Sequence, residues 1–88
     1  MNDYSGLEIL ILEILQENGN EMYGLDIIER SSGKLKRGTV YVWLDQLEDR
    51  NDIASRREEH VSLRRPRRRL YRITDQGLRV LIDQALSA

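Results

Sequence analysis

Cysteine is missing from this chain altogether, and proline, histidine and tryptophan occur once each in 88 residues. Without a thiol there is no disulfide, no thiolate nucleophile and no cysteine-based metal site, and a reducing compartment is compatible with the composition. The single imidazole, His60, has no metal-ligand cluster and no phosphate-cradling glycine loop beside it, so the inventory disfavours an enzyme and asks for no cofactor and no metal. Long apolar runs are lacking too. The longest aliphatic stretch is Ile9 to Leu12, far below the roughly 20 residues that span a bilayer. The opening "MNDYSG" has no basic region leading into an apolar one. A soluble, cytoplasmic protein with no membrane partner is expected. Length is also short: 88 residues with 40% hydrophobic content make one small domain, 1–88. That is near the lower size at which a core is self-sufficient, and burial against a partner subunit would help.

What is present is charge, unevenly spread. The formal net charge is only -1, yet residues 1–33 hold seven acids against one base, a net of -6, while residues 51–73 hold eight arginines against three acids, a net of +5. The basic end is concentrated in "SLRRPRRRLY", where Arg64, Arg65, Arg67, Arg68 and Arg69 surround Pro66. A solvated charge run is the plain reading of such a cluster. The sharper reading is a surface for a polyanion, most simply nucleic acid.

Periodicity supplies the scaffold for that cluster. In "GLEILILEILQENG", Leu7, Leu10, Ile11, Ile14 and Leu15 follow the rhythm of one helix face, ended by Gly19. Ile9 and Leu12 fall on the other side, a second stripe that makes the helix either central in its own fold or shared between the core and a subunit interface, the interface being the favoured reading for so short a chain. "EMYGLDIIERSSG" reads as a second, shorter helix, in which Gly24 implies a close neighbour, since glycine there costs about 1 kcal/mol against alanine. "KLKRGTVYVWLDQLEDRND" is a third, with Val40, Tyr41, Leu44 and Leu47 on the core side and Asn51 as a left-handed cap. "IASRRE" and "RRRLYRI" have the character of two strands joined by a long loop, Glu59 to Pro66. "TDQGLRVLIDQALSA" closes the series as a helix capped by Thr74, with Asp75 in its first turn.

Helix, helix, helix, strand, basic loop, strand, helix is the order of a winged helix-turn-helix: mainly α with a small β-hairpin. In that arrangement the third helix enters the major groove and the hairpin loop touches the DNA backbone or minor groove. The chain also resembles a named family. "MYGLDII", "RGTVYVWLDQLED" and "RRRLYRITDQG" together are similar to the PadR family of transcriptional regulators, on the combined set Gly38, Thr39, Tyr41, Leu44, Leu47 and Glu48, followed by Tyr71, Thr74 and Gly77. The resemblance implies a dimeric repressor, often one that responds to a small hydrophobic or phenolic effector, with the first and last helices helping dimerisation. Leu25 departs from the aromatic usual at that place, and Asn51 with Asp52 replaces a usual glycine.

The candidate contacts follow. On the third helix Lys36, Arg37, Gly38, Thr39, Val42 and Gln46 make the recognition surface; Thr39 and Val42 suit thymine methyls and Gln46 suits adenine. Asp45 and Asp49 would repel phosphates, so only the N-terminal half of that helix sits deep. Backbone and wing contacts are Tyr23, Lys34, His60, Arg64, Arg65, Arg67, Arg68 and Arg69. Tyr23 serves equally well as a staple of the second helix, Trp43 is read as packing, and Tyr41 and Tyr71 as core. Ile9, Leu12, Leu78, Leu81 and Ile82 are the expected homodimer interface, with residues 74–88 forming the assisting helix. The expected partner is double-stranded DNA with a pseudo-palindromic operator. The alternative is a winged helix that binds or antagonises another regulator through its basic loop.

Overall fold

Ser5 starts the first helix by a reciprocal cap. Its hydroxyl accepts from the Glu8 amide at 3.1 Å while the Glu8 carboxylate accepts from the Ser5 amide at 3.0 Å. In a computed structural model of the chain, which describes residues 3–59 and 68–87, that helix is α1 (Gly6–Asn18). It ends at Gly19, left-handed at φ 71°. The order continues β1 (Met22–Tyr23), α2 (Gly24–Arg30), α3 (Arg37–Asp49), β2 (Ile53–Arg57), β3 (Arg69–Ile73) and α4 (Asp75–Ser87).

The expected two-stranded hairpin is a three-stranded antiparallel sheet in the order β1-β3-β2. Met22 and Tyr23 pair with Tyr71 and Leu70, so the start of the expected second helix is an extended edge instead. A two-residue strand carries no periodicity of its own, and its pairing depends on a partner 49 positions away. β2 and β3 pair from Ile53↔Ile73 to Arg57↔Arg69.

Ile11, Leu12, Leu15, Ile27, Leu35, Val40, Leu44, Leu47 and Ile53 are fully buried or nearly so, with Met22 and Tyr71 closing the sheet side. At about 1.5–3 kcal/mol for each large apolar side chain removed from water, these residues are the main source of stability. Leu12 needs correcting: at 0% exposure it belongs to the protomer's own core and offers nothing to a partner. Ile9 is half-buried against the same core. The two apolar stripes of α1 are both used within one chain, because α1 lies against α2, α3, β3 and α4 at once.

The corner after α3 is held by polar groups. Asn51 takes the expected left-handed turn at φ 66°. Asp52, fully buried, accepts from the Tyr4 hydroxyl at 2.6 Å and the Gln76 side chain at 2.9 Å, partners that a buried carboxylate requires. Thr74 caps α4, its hydroxyl accepting from the Gly77 amide at 3.1 Å and donating to the Asn51 carbonyl at 2.7 Å. Arg50 lies over the Tyr4 ring, 4.7 Å from its centroid, and 3.9 Å from the buried Glu8 carboxylate. The N-terminal segment, the end of α3 and the start of α4 are thereby joined at one point.

Candidate nucleic-acid interface

α3 turns one side inward and the other out, and its buried residues say which. Val40, Leu44 and Leu47 have 0% exposure, so the positions half a turn away point to solvent. These are Gly38, Thr39, Val42 and Gln46, all exposed, with Val42 at 54%, while Arg37, three residues before Val40, is exposed as the first residue of the helix. A valine that open adds little to the core. Around Gly38, no atom lies within 4 Å of where a Cβ would stand, so the fold itself does not ask for a glycine there. Thr39 is tied lightly, its hydroxyl 3.4 Å from the Lys36 carbonyl. Asp45 and Asp49 are exposed further along the helix.

The turn that delivers α3 is anchored from below. Ser31, buried, donates its hydroxyl to the Ile28 carbonyl at 2.6 Å and accepts from the Leu35 amide at 3.0 Å. Ser32 and Gly33 take left-handed φ values of 54° and 86°, and the buried Leu35 side chain fixes the approach. Lys34, Lys36 and Arg37 are thus held at the N-terminal end of α3 with their side chains exposed, and no ion pair among the described residues engages them.

The expected arginine cluster divides at the boundary of the described residues. His60, Arg64, Arg65 and Arg67 lie outside them. Arg68 and Arg69 lie inside, at the foot of the return strand. Arg68 stacks over the Tyr23 ring, 5.3 Å from its centroid, and Arg69 reaches along the sheet to donate to the Ser55 hydroxyl at 3.0 Å. Ser55 in turn donates to Glu48 on α3 at 2.8 Å. Arg57 is the cross-strand partner of Arg69 and is exposed, so the base of the wing carries one more outward guanidinium than was assigned from sequence. Strand register, which periodicity alone does not give, is the signal that finds it. Arg56 alternates to the other face, bound in a two-pronged pair to Glu21 at 2.6 and 2.7 Å that holds the Glu21 carboxyl below its ordinary range.

Two aromatic placements change. Tyr41, expected in the core, is 42% exposed, because its ring lies over Gly24 on the flank of α3 and fills the space that a side chain there would need. Gly24 thus has the close neighbour its cost implied. Tyr23 ends β1 and gives its hydroxyl to Glu58 at 2.7 Å, so that proton is committed within the protein in this arrangement. Tyr23, Leu25, Tyr41, Tyr71, Arg68 and Arg69 surround a cleft of about 150 Å³ beside α3. Tyr71 is the buried floor of that cleft, and burial pushes its phenol above its ordinary pKa, with the Arg69 charge opposing the rise. Trp43 packs against the core as expected.

On the opposite side, α4 buries Gly77 and half-buries Val80 and Leu81, leaving Leu78 at 36%, Ile82 at 56% and Leu86 at 80% exposure. At i, i+4 and i+8 these form one open apolar stripe. Leu81, assigned with them, faces the protomer's own core. Among the described residues no helix is long and apolar enough to cross a membrane.

Comparison with known proteins accounts for this arrangement. The model of the Transcriptional regulator PadR-like family matches residues 11–83. Among solved structures, a PadR family transcription regulator from Clostridium difficile is 29% identical with a TM-score of 0.79, covering 94% of this chain and 86% of its own. A PadR-like transcription factor from Bacteroides fragilis is 25% identical with a TM-score of 0.78, over 92% and 78%. Bacillus subtilis PadR, solved in complex with operator DNA, is 26% identical with a TM-score of 0.75; 91% of this chain covers 46% of that one. Comparison with curated proteins finds no match. With its family match running from the middle of α1 into α4 and its helices and three-stranded sheet superposing on these regulators, the chain belongs to the PadR-like family of transcriptional regulators, which are not enzymes.

Proposed function

We propose that the chain is a sequence-specific binder of double-stranded DNA, working as a homodimeric repressor on a pseudo-palindromic operator. In this reading α3 lies in the major groove and the arginine-rich loop between β2 and β3 follows the backbone or enters the minor groove. The observation that carries it is the outer face of α3: Thr39, Val42 and Gln46 are exposed together on a helix that buries Val40, Leu44 and Leu47 on its other side, with Arg37 exposed at its first residue. A methyl-bearing, amide-bearing surface on a rigidly seated helix matches what base edges offer. The complex of Bacillus subtilis PadR with operator DNA supports the same partner for this chain. The open stripe Leu78, Ile82 and Leu86 supports the second subunit, since two operator half-sites call for two copies of α3.

Titration of duplex DNA from the protein's own upstream region, with salt varied, tests this. Each neutralised phosphate adds about -0.9 to the slope of log affinity against log salt. Replacing Arg65, Arg67 and Arg68 together by alanine is expected to flatten that slope by roughly two to three units and to weaken specific and random duplexes alike. An unchanged slope in the triple variant would remove the wing contact from the proposal and favour a protein partner for the loop.

A further inference from the structure

At the point where the basic loop leaves the sheet stands an acid. Glu58 follows the last residue of β2, between Arg56 and Arg57 on one side and the arginine cluster on the other. On a surface that faces phosphates, a carboxylate has the unfavourable sign. It is nonetheless thoroughly engaged. Its backbone amide donates to the Arg68 carbonyl at 2.9 Å and closes the last rung of the ladder. One carboxylate oxygen accepts from the Arg68 amide at 3.0 Å, and the other accepts from the Tyr23 hydroxyl at 2.7 Å. The Arg68 guanidinium lies over the ring of that same tyrosine.

The sheet order makes this more than a local contact. Because β3 lies between β1 and β2, a side chain that starts at the end of β2 and ends on Tyr23 of β1 spans the first residues of β3. On the β1 side the ladder stops at Tyr23↔Leu70, so no backbone partner from that side reaches Arg68. On the β2 side the Arg68 amide is met by the Glu58 carboxylate instead of a backbone carbonyl, and the carboxylate's bonds, being charge-assisted, are stronger than the neutral rungs they extend.

We infer that Glu58 is a positioning residue for the arginines at the foot of β3: acting through Tyr23 and the Arg68 backbone, it fixes where Arg68 stands at the end of the sheet. The inference rests on the reading of the loop as a DNA contact. Holding Arg68 in one place before DNA arrives lowers the ordering cost of binding, and it does so most for the duplex whose backbone meets it there. Selectivity for a preferred duplex is therefore the property that Glu58 supports, while its charge lowers affinity for every duplex.

Three variants separate these effects. Glu58→Gln removes the charge but keeps an oxygen to accept from the Arg68 amide and an amide to donate to the Tyr23 oxygen. Glu58→Ala removes both. Tyr23→Phe breaks the tether with charge and ring unchanged. Two measurements are made on the intact protein: hydrogen exchange of the Arg68 amide without DNA, and the affinity ratio between a duplex selected in vitro and a random duplex. Glu58→Ala and Tyr23→Phe are expected to lower that ratio by roughly tenfold and to speed Arg68 exchange several-fold, as loss of a hydrogen bond to a charged group implies. Glu58→Gln is expected to keep the ratio within about twofold and to bind both duplexes more tightly. If Glu58→Gln and Glu58→Ala behave alike, tightening all binding with the ratio unchanged, the residue acts by charge alone and the inference fails. Unaltered Arg68 exchange in both Glu58→Ala and Tyr23→Phe overturns it as well. A wild type that binds no duplex defeats the DNA reading instead, and the exchange comparison still tests the tether.

Discussion

Replacing Gly77 by alanine sets two magnitudes against each other. Gly77 lies in the first turn of α4, where helix propensity favours alanine by about 1 kcal/mol. Its Cβ, however, would overlap the backbone carbonyl oxygen of Asp52 and come 2.7 Å from Ile73 Cγ1. That carbonyl cannot withdraw cheaply. It accepts from the Thr74 amide at 3.1 Å, and the Asp52 amide donates to the Leu47 carbonyl at 3.0 Å, pinning the corner on both sides. Overpacking typically costs about 1–3 kcal/mol, and a strained backbone hydrogen bond adds about 1 more. After the propensity gain, a net loss of about 1–3 kcal/mol is expected, out of roughly 4–13 kcal/mol for a chain of this size. At about 4–8 °C per kcal/mol, the melting temperature should fall by roughly 4–24 °C in a thermal scan at fixed protein concentration. Gly24→Ala is the internal comparison. There the added Cβ meets the Tyr41 ring at 2.8 Å, but that ring is 42% exposed and free to swing outward, so a shift within about 5 °C is expected. A Gly77→Ala protein that melts at or above the wild type, or no lower than Gly24→Ala, would refute the reasoning.

Gln46→Ala should lose about 1–3 kcal/mol of discrimination at one base position with random-duplex affinity nearly unchanged, read by competition between single-base operator variants; equal losses on both would make the residue a backbone contact. Ile82→Glu, at a site 56% exposed, should leave the melting curve of the dilute protein nearly intact and give monomers by sedimentation, whereas Leu12→Glu should unfold the chain; a wild type that is monomeric at high micromolar concentration would count against the dimer. The Tyr4 phenol is raised above its ordinary 10.0, first by burial and then by its bond to Asp52. Its contribution to stability is therefore complete below about pH 10 and is lost as pH rises through the folded value. Urea midpoints taken from pH 8 to pH 11 should fall, and Tyr4→Phe should blunt that fall without abolishing it, because the Tyr71 phenol is raised in the same direction.

The helices were legible because each carries its own period and its own punctuation. Gly19, Asn51 and Thr74 stand in the cap conformations their residue types imply, and Val40, Leu44 and Leu47 face the core as spaced. The missed features depend on tertiary neighbours. β1 exists because Tyr71 and Leu70 are opposite it, and nothing local in "MY" marks an edge strand. Leu12 looked like a second face because a helix wheel shows which residues diverge and not how many elements surround the helix; four do. Tyr41 sits at a core-like period, yet the absence of a side chain at Gly24 draws it to the flank. Glu58 was counted only as charge, since its partners Tyr23 and Arg68 are 35 and 10 positions away.

The order of the strands also governs when the molecule becomes whole. The middle strand, β3, is the last of the three to be synthesised, so a nascent chain that has emerged only through residue 68 holds two edges with nothing between them. Tyr71, the buried residue that joins Met22 on one side and Ser55 on the other, arrives after every part of the helix-turn-helix has left the ribosome. Closure of the sheet thus depends on long-range pairings, which form more slowly than the local contacts of a helical bundle. Before it, α3 lacks the sheet beneath its C-terminal half and the wing has no base. A chain that has not yet made β3 therefore lacks the sheet on which the proposed DNA contact depends.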